Sequence, residues 1–168
     1  LVGTQIRNFP ETGEVPLVCD MSSDFLSRKL DYSRFSLIYA GAQKNIGPSG
    51  VTAVVVRKSW VEKAREDVPT MLAYRTHLET NSLFNTPPSF PVYVVGLVLK
   101  WILDQGGLEA VQAANEKKAA LLYDYIDDNS DFYKGTADID SRSLMNVTFR
   151  LPSEELEKKF ITEGTQND

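Results

Sequence analysis

Three short, almost wholly apolar runs restrict the fold of this chain more than any other feature. Val15-Pro16-Leu17-Val18-Cys19 ends in one carboxylate, Asp20, and Phe35-Ser36-Leu37-Ile38-Tyr39-Ala40 ends in the polar, glycine-rich loop of residues 41–50. The β-branched run Val51-Thr52-Ala53-Val54-Val55-Val56 follows at once, with no helix between it and the second run. Runs of this kind are expected of strands covered on both faces, as in the mostly parallel sheet of an α/β domain. In such sheets the carboxyl ends of the strands open into a common crevice where ligands bind. Asp20 and the loop behind Ala40 are therefore placed for chemistry rather than for packing.

The remaining pattern is helical, then mixed. Ser59 and Glu62 have capping-box spacing, which predicts a short helix through Arg65 with Pro69 as its stop. Residues 70–88 hold no sustained period and read as an ordered excursion carrying Phe84-Asn85-Thr86-Pro87-Pro88. Val92, Val95, Leu99, Ile102 and Leu103 share one face of a helix that opens with Pro91 and ends at Gly106-Gly107. A second helix, over about 108–127, has an apolar stripe of Leu108, Val111, Leu121, Leu122, Tyr125 and Ile126. Its middle, at Ala114 and Asn115, is weak, as in a helix that crosses between two bodies. Met145, Val147, Phe149 and Leu151 alternate with polar residues as a half-exposed strand. Ser153 then caps a closing helix with Glu154 and Glu155 in its first turn. The expected division is 1–114, part of a large α/β domain, and 115–168, the start of a small α+β domain.

Charge and composition narrow the partners. A formal net charge of −5 argues against a nucleic-acid surface, and 42% hydrophobic with 24% charged residues is ordinary for a soluble globular protein. The single cysteine, Cys19, has no intrachain disulfide partner, and no apolar run reaches the length of a membrane span. The expectation is a cytoplasmic protein acting on a small molecule. Leu1 and the stretch 164–168 read as cut edges, so an internal piece of a longer polypeptide is expected.

The chemistry centres on Lys44 and Asp20. On loop composition alone, Lys44 reads first as a solvated surface lysine, and Asp20 can be read as a loop or cap carboxylate. Taken together they suggest more. An amine that attacks a carbonyl needs a desolvated position that lowers its pKa, and a strand-end crevice offers one. A carboxylate at a neighbouring strand end can hold a heteroaromatic nitrogen protonated, so that the ring serves as an electron sink.

The motif Tyr39-Ala40-Gly41-Ala42-Gln43-Lys44-Asn45-Ile46-Gly47-Pro48-Ser49-Gly50, with Phe84-Asn85-Thr86-Pro87-Pro88 downstream and Ser143-Leu144-Met145-Asn146-Val147 later, closely resembles the class V aminotransferase family. The resemblance runs in order over essentially the whole chain. It implies a fold-type I enzyme with pyridoxal 5′-phosphate as cofactor, in which 1–114 belongs to the large cofactor-binding domain and 115–168 begins the small domain. It implies a homodimer with active sites at the subunit interface. The implied reaction is reversible amino transfer between O-phospho-L-serine with 2-oxoglutarate and 3-phosphohydroxypyruvate with L-glutamate, in serine biosynthesis. A second substrate in vitamin B6 synthesis is accepted by some relatives. By position in the motifs, Lys44 matches the Schiff-base lysine, Asp20 the partner of the pyridine nitrogen, and Gln43 a ligand of the cofactor phosphate. Asn85 and Thr86 match the pair offered to the cofactor phosphate of the other subunit, and Ser22 either orients Asp20 or touches the cofactor. A phosphate loop and stacking aromatic residue are expected ahead of Leu1, and a substrate-phosphate His-Arg pair beyond Asp168, so this chain alone is not expected to hold a complete site.

Two other readings compete. A cysteine desulfurase of the same family would show a His-Lys pair and a mobile catalytic cysteine, against Gln43-Lys44 and the strand-embedded Cys19 here. A non-catalytic module would use the glycine-rich segment only as a tight hairpin. His77 falls in the excursion, outside any motif, and Trp60 and Trp101 lie on helices as packing residues.

Overall fold

In a computed structural model the described residues are 2–167, and they fall into two compact units. One is Glu11–Val111; the other joins Leu1–Pro10 to Gln112–Asp168.

The first unit is built on a three-stranded sheet of β1 (Val18–Asp20), β2 (Leu37–Gly41) and β3 (Thr52–Val56), in that spatial order. β1 and β2 are parallel, with Asp20 opposite Tyr39, whereas β2 and β3 are antiparallel from Leu37 opposite Val56 to Gly41 opposite Thr52. The sheet is therefore mixed within this chain. The expectation that all three apolar runs are covered on both faces holds only for β2, where Leu37, Ile38 and Ala40 are buried. Val18 in β1 is 47% exposed and Val55 in β3 48%, because each of these strands is paired on one side only among the described residues. Met21, Phe25, Phe35, Ala42, Ile46, Val61, Ile102 and Val111 are the other buried apolar residues described in this unit.

The helices α1 (Lys58–Glu62) and α2 (Tyr74–Glu79) are short. Ser59 does not cap α1. Arg57 is the capping residue, held in place as its amide continues the sheet to Ser36 O and its Nε donates to Phe35 O at 3.0 Å. The tertiary anchor thus starts the helix earlier than the capping-box spacing suggests. The helix α3 (Ser89–Asp104) carries Pro91 in its first turn and stops ahead of Gly106 and Gly107, both at positive φ. Its sheltered side runs through Pro91, Val94, Val95, Val98 and Ile102, while Val92, Leu99 and Leu103 are exposed. The stripe read from sequence is therefore rotated, because Gly47 lets the loop before β3 approach Val95 directly. A Cβ at Gly47 would lie 2.7 Å from Val95 Cγ2.

The long helix α4 (Gly107–Asp128) buries Val111, Asn115, Ala119, Tyr123 and Ile126, which recur at helical spacing. Asn115, expected to be a weak point, is 4% exposed, whereas Leu121, Leu122 and Tyr125 face outward. In the second unit α4 packs Ala119, Tyr123 and Ile126 against Tyr133, Leu144, Val147 and Phe149. The expected strand over 145–151 shortens to β5 (Phe149–Arg150), paired with β4 (Lys134–Gly135). Ahead of β5, the Ser143 hydroxyl instead accepts from the amides of Met145 and Asn146, each at 3.1 Å, so that backbone turns rather than extends. The Tyr123 hydroxyl donates to Ser143 O at 2.9 Å, and Arg142 forms a two-point ion pair with Asp127 while its guanidinium lies 4.5 Å from the Tyr123 ring centre. Ser153 caps α5 (Glu154–Gln166) by accepting from Leu156 N, as its sequence position predicts.

Gly3 joins this unit, since Ser143 N donates to Gly3 O at 2.9 Å. Gly3 has φ +70°, and a Cβ there would meet Thr148 Oγ1 at 2.3 Å and Asn146 O at 2.8 Å. Gly3→Ala in the full-length protein is expected to destabilise it by about 1–3 kcal/mol through overpacking and backbone strain, read as a lowered midpoint in a thermal melt. An unchanged midpoint would contradict the close approach.

Candidate active site at the strand ends

The parallel pairing of β1 with β2 brings two strand ends together, and each ends in a turn that carries a charged side chain. Asp20 closes β1. Its Oδ1 accepts from the Ser22 amide at 2.8 Å and from the Ser22 hydroxyl at 2.6 Å. This Asx turn is local chemistry, in which a short acidic side chain bonds to the backbone two residues on. The Ser22 hydroxyl in turn accepts from Gly41 N, the last residue of β2, at 3.0 Å. Across the ladder, Tyr39 stands opposite Asp20, and its phenol helps to hold the carboxylate in the ionised form.

These bonds keep Asp20 ionised. Its pKa lies below the ordinary carboxylate range, first because of the Ser22 hydroxyl, against a smaller opposing effect of burial; the Ser22 amide, Tyr39 and the positive charge of Lys44 add to the lowering. The neighbouring Tyr39 phenol is pushed up, chiefly by the negative charge of Asp20.

Lys44 ends a tight helical turn, Ala42–Lys44, that begins directly after Gly41. Its backbone is closely held. Ala42 is fully buried, its amide donates to Val51 O at 2.9 Å, and its carbonyl accepts from Asn45, Ile46 and Gly47 amides at 3.0–3.3 Å. Asn45 Nδ2 donates to Phe25 O at 2.7 Å, and Ile46 is buried. Gly47 packs on Val95 of α3, and Gly50, at φ +106°, lies against Pro91. The scaffold is rigid while the side chains of Gln43 and Lys44 project from it. The desolvated setting expected for Lys44 is not supplied by the elements of this chain, since both it and Asp20 are exposed. The elements around them support the strand ends from the sheet side only.

Asn85 and Thr86 are both exposed in the segment before α3. Neither caps that helix, whose capping residue Pro88 offers no side-chain bond. Asn85 Nδ2 donates instead to Met71 Sδ at 3.4 Å, and among the described residues no hydrogen bond or ion pair joins Asn85 or Thr86 to Asp20, Gln43 or Lys44. The structure thus brings Asp20, Ser22, Gln43 and Lys44 to one end of the sheet, while Asn85 and Thr86 stand exposed with no bond seen to that group. His77 lies in α2 with Nε2 3.4 Å from Met71 O, apart from this cluster. Sequence reading missed Tyr39 as a partner of Asp20. Only the strand register reveals it, although the Asp-x-Ser spacing already signals the Asx turn.

An ionised acid and an amine thus stand on turns at adjacent strand ends of an α/β sheet, the place where ligands bind in enzymes of the α/β class. Residues 3–165 match the family model for aminotransferase class-V, and the chain belongs to that family. A phosphoserine aminotransferase of Desulfosudis oleivorans is 62% identical over 167 residues, covering 99% of this chain and 46% of its own length. The solved phosphoserine aminotransferase of Bacillus circulans subsp. alkalophilus superposes with TM-score 0.96 at 58% identity, covering 99% of this chain and 46% of that one. A pyridoxal-phosphate-bound phosphoserine aminotransferase from Trichomonas vaginalis gives TM-score 0.90 at 35% identity, covering 98% of this chain and 47% of that one. The fold is therefore that of the fold-type I transferases, and the chain spans about half the length of the relatives it matches.

The lowered pKa fixes a sign. A carboxylate whose folded-state pKa is depressed contributes stability that is complete above the ordinary carboxylate range and is lost as pH falls through the folded value. In a carboxyl-carbon NMR titration of the full-length protein, with Asp20→Asn for assignment, Asp20 is expected to titrate below the ordinary aspartate range. A midpoint above that range would contradict the hydrogen-bonded geometry.

Proposed function

We propose that the protein to which this chain belongs transfers an amino group reversibly between O-phospho-L-serine with 2-oxoglutarate and 3-phosphohydroxypyruvate with L-glutamate, using pyridoxal 5′-phosphate, in serine biosynthesis. The observation that carries the reading is the pair of strand-end turns: Asp20 held ionised by Ser22 and Tyr39, within the field of the Lys44 amine. These residues fit the cofactor. Asp20 would face the pyridine nitrogen and keep it protonated, Lys44 Nζ would join the aldehyde carbon covalently, and Gln43 would donate to the phosphate. When bound, the cofactor supplies an electron-withdrawing ring that stabilises negative charge at the substrate α-carbon. Lys44, once free of that carbon, would be the base that takes the substrate α-proton and the acid that delivers it to the carbon it had held.

Asn85 and Thr86 would serve the cofactor phosphate of the second subunit in a homodimer, which is consistent with their exposure. In this reading residues 1–114 belong to the large domain and 115–168 begin the small one, with a cytoplasmic location. No helix among the described residues is long and apolar enough to cross a membrane. The desulfurase alternative finds no support in Cys19, which sits half-buried in β1 with its thiol pKa pushed up by burial and by Asp24 and Asp20, the reverse of an activated thiolate.

In the full-length enzyme, Lys44→Ala is expected to abolish turnover and the borohydride-fixed cofactor adduct, which peptide mapping places on Lys44 in the wild type. Asp20→Asn is expected to lower kcat by about 10²- to 10³-fold, the scale of losing one preorganised electrostatic contact. Full activity in purified Lys44→Ala protein would remove the proposal.

A further inference from the structure

We infer that Ser22 is a positioning residue whose hydroxyl holds the acid of β1 and the lysine turn of β2 in a single frame. A serine hydroxyl has one proton to give and two lone pairs to receive with. Here the proton goes to Asp20 Oδ1 at 2.6 Å, and a lone pair receives Gly41 N at 3.0 Å. Gly41 directly precedes Ala42–Lys44, so one oxygen atom links the group that faces the cofactor ring to the backbone that presents the amine. Displacing Asp20 relative to the turn stretches one of these two bonds.

Met21 N to Tyr39 O and Asn45 Nδ2 to Phe25 O also tie the two strand ends together, but among the described residues only the Ser22 hydroxyl is seen to bond both the Asp20 carboxylate and the backbone that leads into the lysine turn. The Ser22 amide holds Asp20 but does not reach β2, and Tyr39 acts on the Asp20 carboxylate with no hydrogen bond seen to the 42–47 backbone. The bonds within that backbone, from Asn45, Ile46 and Gly47 to Ala42 O, make the turn stiff but do not orient it on Asp20. Removing the hydroxyl would also leave the Gly41 amide without its acceptor in a partly buried position. The role expected of Ser22 is therefore registration of two reacting groups rather than contact with substrate.

The inference rests on the aminotransferase reading, and the test separates the two. Ser22→Ala in the full-length holoenzyme is expected to lower kcat by about 10- to 100-fold, the cost of misplacing a reacting group by a fraction of its working tolerance. KM for the amino donor should stay within about threefold, because ground-state binding is untouched. The pH at which the bound cofactor's visible band changes should also move, since Asp20 loses its strongest hydrogen-bond donor. Ser22→Thr should restore both readouts. Ser22→Val, which matches threonine in shape but lacks the hydroxyl, should not, and this pair decides the matter if Ser22→Ala fails to fold. Equal activity and superimposable pH profiles for the Thr and Val variants would overturn the positioning role. If Lys44→Ala is dead while Ser22→Ala and Ser22→Val run at the wild-type rate, this inference fails and the aminotransferase reading stands; an active Lys44→Ala sinks the reading itself.

Discussion

The register between β1 and β2 is the constraint from which the rest of the site follows. In a strand, successive side chains point to opposite faces, so a slip of one residue would carry Asp20 to the other side of the sheet and part it from Tyr39. The buried Leu37, Ile38 and Ala40 of β2 resist such a slip, since it would exchange them with the exposed Tyr39. Core packing in the central strand thereby determines where a carboxylate at the edge of the crevice can stand. Met21, the first residue beyond β1, reinforces the alignment by donating its amide to Tyr39 O at 2.9 Å while its side chain is buried.

Exposure of Lys44 and Asp20 is compatible with this rigidity because the two properties reside in different atoms. The main chain around Lys44 is satisfied by internal hydrogen bonds and anchored by Ala42 and Ile46, and the amine is left to face outward. A pre-set backbone lowers the entropy that must be lost when the side chain is engaged. Dehydration of the amine is then a property that the completed crevice must add, and it is not built into the turn.

Legibility from sequence differed by the kind of signal. The three strand runs could be read because apolar, β-branched stretches are scarce outside sheets, and the acid and lysine at their ends followed from the same pattern. Ser153 was legible because a cap is a local hydrogen bond. The faces of α3 and α4 were misread, since periodicity identifies an apolar stripe but not which neighbours cover it: Asn115 is buried where Leu121 and Leu122 are not. Arg57 displaced Ser59 as the start of α1 through contacts with Ser36 and Phe35 that lie more than twenty positions away. Tyr39 and the bridge through Ser22 required knowing which strands are neighbours, and no local rule supplies that.

The attachment of the first ten residues to the unit formed by 112–168 bears on how the polypeptide is made. Gln5 N bonds to Ser141 O, and the Thr136 and Thr148 hydroxyls both donate to Val2 O, so segments more than 130 positions apart close one body. A ribosome delivers residues in order, and the intervening Glu11–Val111 stretch contains its own sheet and core. That stretch emerges before residues 112–168, so residues 2–10 meet these bonding partners only after it has been made. Closure across so long a separation is slower than the closure of local contacts.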